Sequence, residues 1–135
     1  MKVLMADDEA AMRDRLTGLT AGVANAQLRF VEQNAAVAML IAAAWRPDVV
    51  ILDVSMRGAA TLRVLEEIKK EWPGMAVVIS AWVEQAYANA YLQCGADGFL
   101  DKSDGWEALG ALLRQRAALA AAGGVEKGRL AAPIG

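Results

Sequence analysis

Three carboxylates, a hydroxyl and a lysine each stand where an apolar run stops, and these residue types together are suited to phosphoryl chemistry. Asp7 and Asp8 follow Val3-Leu4-Met5-Ala6, Asp53 closes Val49-Val50-Ile51-Leu52, Ser80 closes Ala76-Val77-Val78-Ile79, and Lys102 lies just past Gly98-Phe99-Leu100. Carboxylates gathered within a few ångströms repel one another unless one is protonated or a cation neutralises them. Hard oxygen ligands suit Mg²⁺ or Mn²⁺ better than a soft metal, and Mg²⁺ commonly completes its shell with water and phosphate oxygens. Asp53 is the candidate nucleophile, because a carboxylate can form an acyl phosphate. Lys102 can pair with the transferred group or, without it, with a carboxylate. Ser80 can donate to a phosphoryl oxygen, which completes the electrostatic stabilisation that phosphoryl transfer needs. Taken singly, each residue has an ordinary explanation: a helix cap, a strand end, a solvated lysine. The joint placement carries the reading.

That placement requires a parallel sheet. Short apolar runs rich in Val, Ile and Leu, separated by helical stretches, read as parallel strands buried on both faces. Such strands all point one way, so their C-terminal residues collect on one edge, where open α/β sheets hold their chemistry. The expected strands are Lys2 to Ala6, Gln27 to Glu32, Val49 to Asp53, Met75 to Ser80 and Gly98 to Leu100. Expected helices run from about Ala10 to Thr20, Asn34 to Trp45, Ala59 to Glu71, Val83 to Gln93, and Ser103 or Asp104 to Ala122. Asn34 is read as an N-cap and Gly95 as a left-handed C-terminal cap. Gly123-Gly124 is expected to end the last helix. Right-handed strand–helix units favour a doubly wound, flavodoxin-like five-stranded parallel sheet of order 2-1-3-4-5 with five helices. Its switch point, between the first and third strands, gathers Asp7, Asp8 and Asp53.

The 135 residues suit one domain. Residues 1–122 are expected to form it, with 123–135 as a tail or the start of a linker. Although 56% of residues are hydrophobic, no uninterrupted apolar run is long enough to span a bilayer. The N-terminus lacks a signal-peptide pattern, so a cytoplasmic location without membrane attachment is expected. A single Cys and no His argue against a disulfide framework or a structural zinc site. With a net charge of −2 and no stripe of Lys and Arg, the chain is not expected to bind nucleic acid alone.

The ordered segments Met5-Ala6-Asp7-Asp8-Glu9, Pro47 to Met56, Ile79-Ser80-Ala81 and Gly95 to Lys102 resemble those of two-component response regulator receiver domains, over about residues 2 to 122. The resemblance implies a phosphorylation-dependent signalling switch in which Asp53 is the phosphoacceptor. It implies that Asp7, Asp8, Asp53 and the Ser55 backbone carbonyl bind Mg²⁺ (or Mn²⁺). Ser80, the Ala81 backbone amide and Lys102 would contact the phosphoryl group. Phe99 would be the aromatic switch, turning inward as Ser80 moves. The implied donor is a sensor histidine kinase or a phosphotransfer protein, and a homodimer or an output domain is the implied target. Catalysis would be confined to the chain's own phosphorylation and dephosphorylation, so it is not expected to be an enzyme with external turnover. The Gly95 to Ser103 run is most similar to the subfamily fused to LuxR/NarL-type helix-turn-helix domains. That similarity favours the regulatory part of a transcriptional regulator, whose DNA-binding domain would follow these residues; the alternative is a stand-alone receiver in a phosphorelay.

Two departures stand out. Arg57 and Thr61 occupy places where the family usually has Pro and Gly, so the loop into the third helix is expected to be shaped differently or to be looser. Trp82, at the rim beside the phosphoryl position, is expected to pack against the fourth helix or to shield the acyl phosphate from water as a modulatory residue. Rival classes fit less well. A dehalogenase-type hydrolase needs a second Asp two residues beyond the nucleophile, where Ser55 stands. A flavodoxin needs a hydroxyl-rich loop after the first strand, where Asp-Asp-Glu stands. A receiver kept only for dimerisation would not need every acid, the serine and the lysine.

Overall fold

The computed structural model describes residues 1–32, 35–54, 61–82 and 85–134, with the side chains of 85–88 and 123–134 outside that description. Strands and helices alternate as β1 (Lys2–Ala6), α1 (Ala10–Thr20), β2 (Gln27–Val31), α2 (Ala35–Trp45), β3 (Val49–Asp53), α3 (Thr61–Glu71), β4 (Ala76–Ala81), α4 (Gln85–Gln93), β5 (Gly98–Asp101) and α5 (Trp106–Ile134). The strands form one parallel sheet in the order β2-β1-β3-β4-β5, as the alternation of apolar runs and helices predicts.

Side chains alternate across a strand with a period of two, and this divides the core. Leu4, Ala6, Val50, Leu52, Val77 and Ile79 join α2 and α3 on one face. Val3, Met5, Val49, Ile51, Ala76, Val78 and Leu100 join α1 and α5 on the other. Both faces of the central strands are therefore apolar, which accounts for the unbroken Val/Ile/Leu runs. The edge strand β2 instead alternates exposed Gln27 and Arg29 with more buried Leu28, Phe30 and Val31.

The same period orients the chemistry. Continuing the second row by two residues from Met5, Ile51, Val78 and Leu100 gives Asp7, Asp53, Ser80 and Lys102. Their polar groups thus leave the strand ends on the α1/α5 side of the sheet. Register tightens the placement, since Ala6 lies beside Leu52 and Asp53 beside Ser80.

Most boundaries follow the sequence, and the exceptions have local causes. Gly95 ends α4 with φ of 104°, a left-handed conformation that glycine adopts without steric cost, and Ala96 N–H closes the turn on Tyr91 O. The last helix starts at Trp106 rather than at Ser103 or Asp104, because Asp101 organises a separate turn. Its carboxylate accepts from Ser103 N–H and Oγ–H, and its carbonyl accepts from the Asp104 and Gly105 amides. A Cβ on Gly105 would lie 2.8 Å from Asp101 O, so this turn requires glycine. At its other end α5 continues through Gly123-Gly124 to Ile134. Each helical glycine costs only about 1 kcal/mol relative to alanine. The expected Asn34 cap and the start of the third helix at Ala59 fall outside the described residues. Among the described residues no helix is long and apolar enough to cross a membrane.

Candidate functional site

At the C-terminal edge of the sheet the Lys102 side chain is buried, and its ammonium meets three carboxylates. Nζ lies 2.8 Å from Asp7 Oδ2, 3.0 Å from Asp53 Oδ2 and 3.1 Å from Glu9 Oε1. Asp7 is held by the loop around it: its amide donates to Val31 O, and its Oδ1 accepts the Glu9 N–H at 2.9 Å. Lys102 is held by its own backbone. Its N–H donates to Ala81 O, and its carbonyl accepts the buried Trp106 Nε1–H at 2.9 Å. The lysine is therefore fixed at both ends, with its charge aimed into the acids.

The acids form a second shared feature. Asp7, Asp8, Glu9 and Asp53 each offer a carboxylate oxygen, all within 4.8 Å of one another. Asp7 and Asp53 are buried, whereas Asp8 is exposed and Glu9 partly so. Hard oxygens converging from a buried base to an open rim suit a hydrated Mg²⁺ or Mn²⁺. Four carboxylates against one ammonium leave uncompensated negative charge, which a divalent cation would offset.

Beside Asp53, Ser80 is fully buried and its Oγ has no hydrogen-bond partner among the described residues. A buried hydroxyl left unpaired costs roughly 1–3 kcal/mol. Its position in the ladder beside Asp53 is where an oxygen of a group attached to that carboxylate could accept from it. Among the remaining expected residues, Ala81 is buried and closes β4 opposite Asp101. Phe99 is partly buried against the α2/α3 side of the sheet, on the face of β5 away from Lys102. Ser55, expected to lend a carbonyl to the metal, and Arg57 lie outside the described residues.

Trp82 directly follows β4. It is 55% exposed, donates Nε1–H to Glu9 Oε1 at 2.9 Å and lies with its ring centroid 5.9 Å from the Lys102 ammonium. The loop into α3, expected to be shaped differently or to be looser, lies outside the described residues, and Thr61 follows it. Buried at the start of α3, its hydroxyl donates to Asp53 O at 3.2 Å, tying that helix to the strand end. Sequence reasoning missed both this bond and the role of Glu9. Glu9 was visible only as the residue after the acidic pair.

Electrostatics follow from this crowding. Burial raises the pKa of Asp7 above the ordinary 3.8, with Asp53 adding to it, although Lys102 and the Glu9 amide pull it down. Burial opposes the charge on Lys102, yet bonds to Asp7, Asp53 and Glu9 together hold its pKa above 10.5. Glu9 is lowered by its bonds to Trp82 and then Lys102. The signs differ for stability. Lys102 stabilises the fold below pH 10.5 and loses that contribution as pH rises through its higher folded value. Glu9 stabilises above pH 4.5 and loses it as pH falls. For Asp7 the charged form is the disfavoured one, so stability declines as pH rises from 3.8 through its folded value.

The chain is similar to known proteins in both sequence and fold. A family model described as the response regulator receiver domain matches residues 3–114. The response regulator GacA of Pseudomonas aeruginosa is 28% identical over 116 residues, covering 85% of this chain and 54% of GacA. The chain thus spans about half the length of that relative. The DNA-binding transcriptional activator EvgA of Escherichia coli is 34% identical over 61 residues, covering 44% of this chain and 30% of EvgA. A DNA-binding response regulator of the LuxR family from Staphylococcus aureus shares the fold with a TM-score of 0.72 at 24% identity, covering 86% of this chain and 98% of the other.

The burial of Asp7 generates a test. Asp7→Asn keeps the shape and removes the charge, so in a chelator it is expected to raise the urea midpoint at pH 7. The gain should shrink on acidification and vanish below about pH 3.8, where the aspartate itself is neutral. A wild type at least as stable as the variant at pH 7 would contradict the assignment of burial as the dominant effect.

Proposed function

Because the chain belongs to the response regulator receiver domain family, we propose that it is a phosphorylation-dependent switch of a two-component system with Asp53 as its phosphoacceptor. The observation that carries this reading is the Lys102 ammonium, buried and bonded at once to Asp53 and to Asp7 and Glu9 in the loop after β1. An Asp53 carboxylate oxygen attacks phosphorus in a phosphohistidine of a sensor kinase or phosphotransfer protein, or in a small acyl phosphate. The new O–P bond forms as the donor's P–N or P–O bond breaks, and the imidazole or carboxylate leaves with the electron pair.

The chain's own residues then receive the charge. Lys102 moves its ammonium from carboxylate to phosphoryl oxygen. Ser80 supplies the hydroxyl that now lacks an acceptor, and the Ala81 amide supplies a second donor. Asp7, Asp8 and Asp53, with the Ser55 carbonyl, would hold Mg²⁺ or Mn²⁺, which when bound supplies positive charge to the phosphoryl oxygens. As Ser80 is drawn toward the phosphoryl, Phe99 turns inward. That shift in population changes the surface of α4, β5 and α5 offered to a second copy or an output domain. Catalysis is confined to the protein's own phosphorylation and dephosphorylation.

Names carried by relatives support a role in gene control: GacA is a response regulator and EvgA a DNA-binding transcriptional activator. We read residues 1–122 as the regulatory part of such a regulator, acting in the cytoplasm, with 123–135 leading toward a helix-turn-helix domain. The chain alone, with its net negative charge, is not assigned DNA binding.

Incubation with acetyl phosphate and Mg²⁺ should add one phosphoryl group by intact mass, and Asp53→Asn should take none while keeping its fold. An equal adduct on the variant would overturn the assignment. Trp82 stands over Lys102, so Trp82→Ala is expected to lose phosphate several-fold faster by admitting water to the acyl phosphate. An unchanged rate removes Trp82 from this role.

A further inference from the structure

Glu9 is the N-cap residue of α1, and its carbonyl accepts the Met12 and Arg13 amides. A side chain there commonly bonds to the first-turn amides, but that of Glu9 makes no such bond. It reaches across the sheet edge instead, and one oxygen, Oε1, accepts both Trp82 Nε1–H at 2.9 Å and the Lys102 ammonium at 3.1 Å. The result is a clasp joining the loops after β1, β4 and β5 above Asp53, whose exposure is 1%.

We propose that Glu9 is a positioning residue of the phosphoryl-acceptor reaction: it holds Lys102 and Trp82 together over Asp53 in the unphosphorylated protein and must release both before a phosphoryl group is accommodated. The inference rests on the reading of Asp53 as phosphoacceptor. An ammonium has three N–H donors, and here three carboxylates face it. A phosphoryl oxygen that takes one donor must displace a carboxylate. Asp7 and Asp53 are enclosed, whereas the Glu9 side chain is 39% exposed and regains water at least cost. Its negative charge would also repel the phosphoryl group, which carries charge of the same sign. Departure of Glu9 frees the Trp82 N–H to meet solvent. The indole can stay over Lys102 through its ring, so the clasp governs entry of the phosphoryl group and not its survival.

The test uses Glu9→Gln, which keeps the acceptor oxygen without the charge, and Glu9→Ala, which removes both. At saturating Mg²⁺, both are expected to be phosphorylated by acetyl phosphate roughly two- to fivefold faster, the scale of a partly exposed ion pair, with phosphate loss unchanged. The emission of Trp82, obtained by subtracting Trp82→Phe to remove the other three tryptophans, should change on phosphorylation in the wild type. In Glu9→Ala it should already stand at the phosphorylated value. Equal or slower phosphorylation of both variants, or a Trp82 signal that ignores Glu9, would overturn the role of Glu9 while a wild-type adduct on Asp53 left the site reading intact. A wild type that takes no phosphoryl group on Asp53 overturns both.

Discussion

One buried ammonium sets the terms for the rest of the molecule. Lys102 places a full charge inside the protein, and such a charge is tolerated only when paired and hydrogen-bonded. Asp7, Glu9 and Asp53 meet that requirement from two other strand ends. The carboxylates in turn need the ammonium, since without it two enclosed acids would face each other unscreened. Neither side is stable alone, so the sheet must bring β1, β3 and β5 to one register at one edge. An arrangement held by mutual need of this kind responds when a new anion enters, because the shared cation has to be redistributed.

The sheet meets the demand with little freedom. Each of Asp7, Asp53, Ser80 and Lys102 lies two residues beyond an apolar residue of the α1/α5 core, so packing of those apolar rows aims the polar groups. A slip of one residue in β3 would turn Asp53 to the opposite face and put Leu52 in its place. The turn after β5 is equally constrained. Asp101 closes it, Gly105 fits only without a side chain, and Trp106 grips the Lys102 carbonyl. Beneath β3, the Thr61 hydroxyl on the Asp53 carbonyl anchors the entry to α3.

Much of this was legible in the residues themselves. Apolar runs of three to five ending in Asp, Ser or the vicinity of Lys read directly as buried parallel strands, because such strands are apolar on both faces. The identity of the acidic edge followed from strand direction alone. What escaped were contacts made by side chains that could have pointed elsewhere. Glu9 stands in the sequence only as the residue after the acidic pair, and only the geometry turns it toward Lys102 and Trp82. Thr61 in place of glycine suggested a loop shaped differently or looser, and the bond from its hydroxyl to the Asp53 carbonyl, which glycine cannot make, was not legible. Gly123-Gly124 read as a stop, but α5 continues through both. Local composition states propensity; the choice among rotamers and caps belongs to the tertiary neighbours.

The central claim is that the Lys102-bound carboxylate of Asp53 is the group that accepts phosphate. Borohydride reduces an acyl phosphate to an alcohol, so reduction of the phosphorylated protein followed by peptide sequencing identifies the acceptor. Homoserine at position 53 and at no other aspartate is the predicted result. Homoserine at Asp7 or Asp8, or a phosphorylated protein that yields none, would contradict the account.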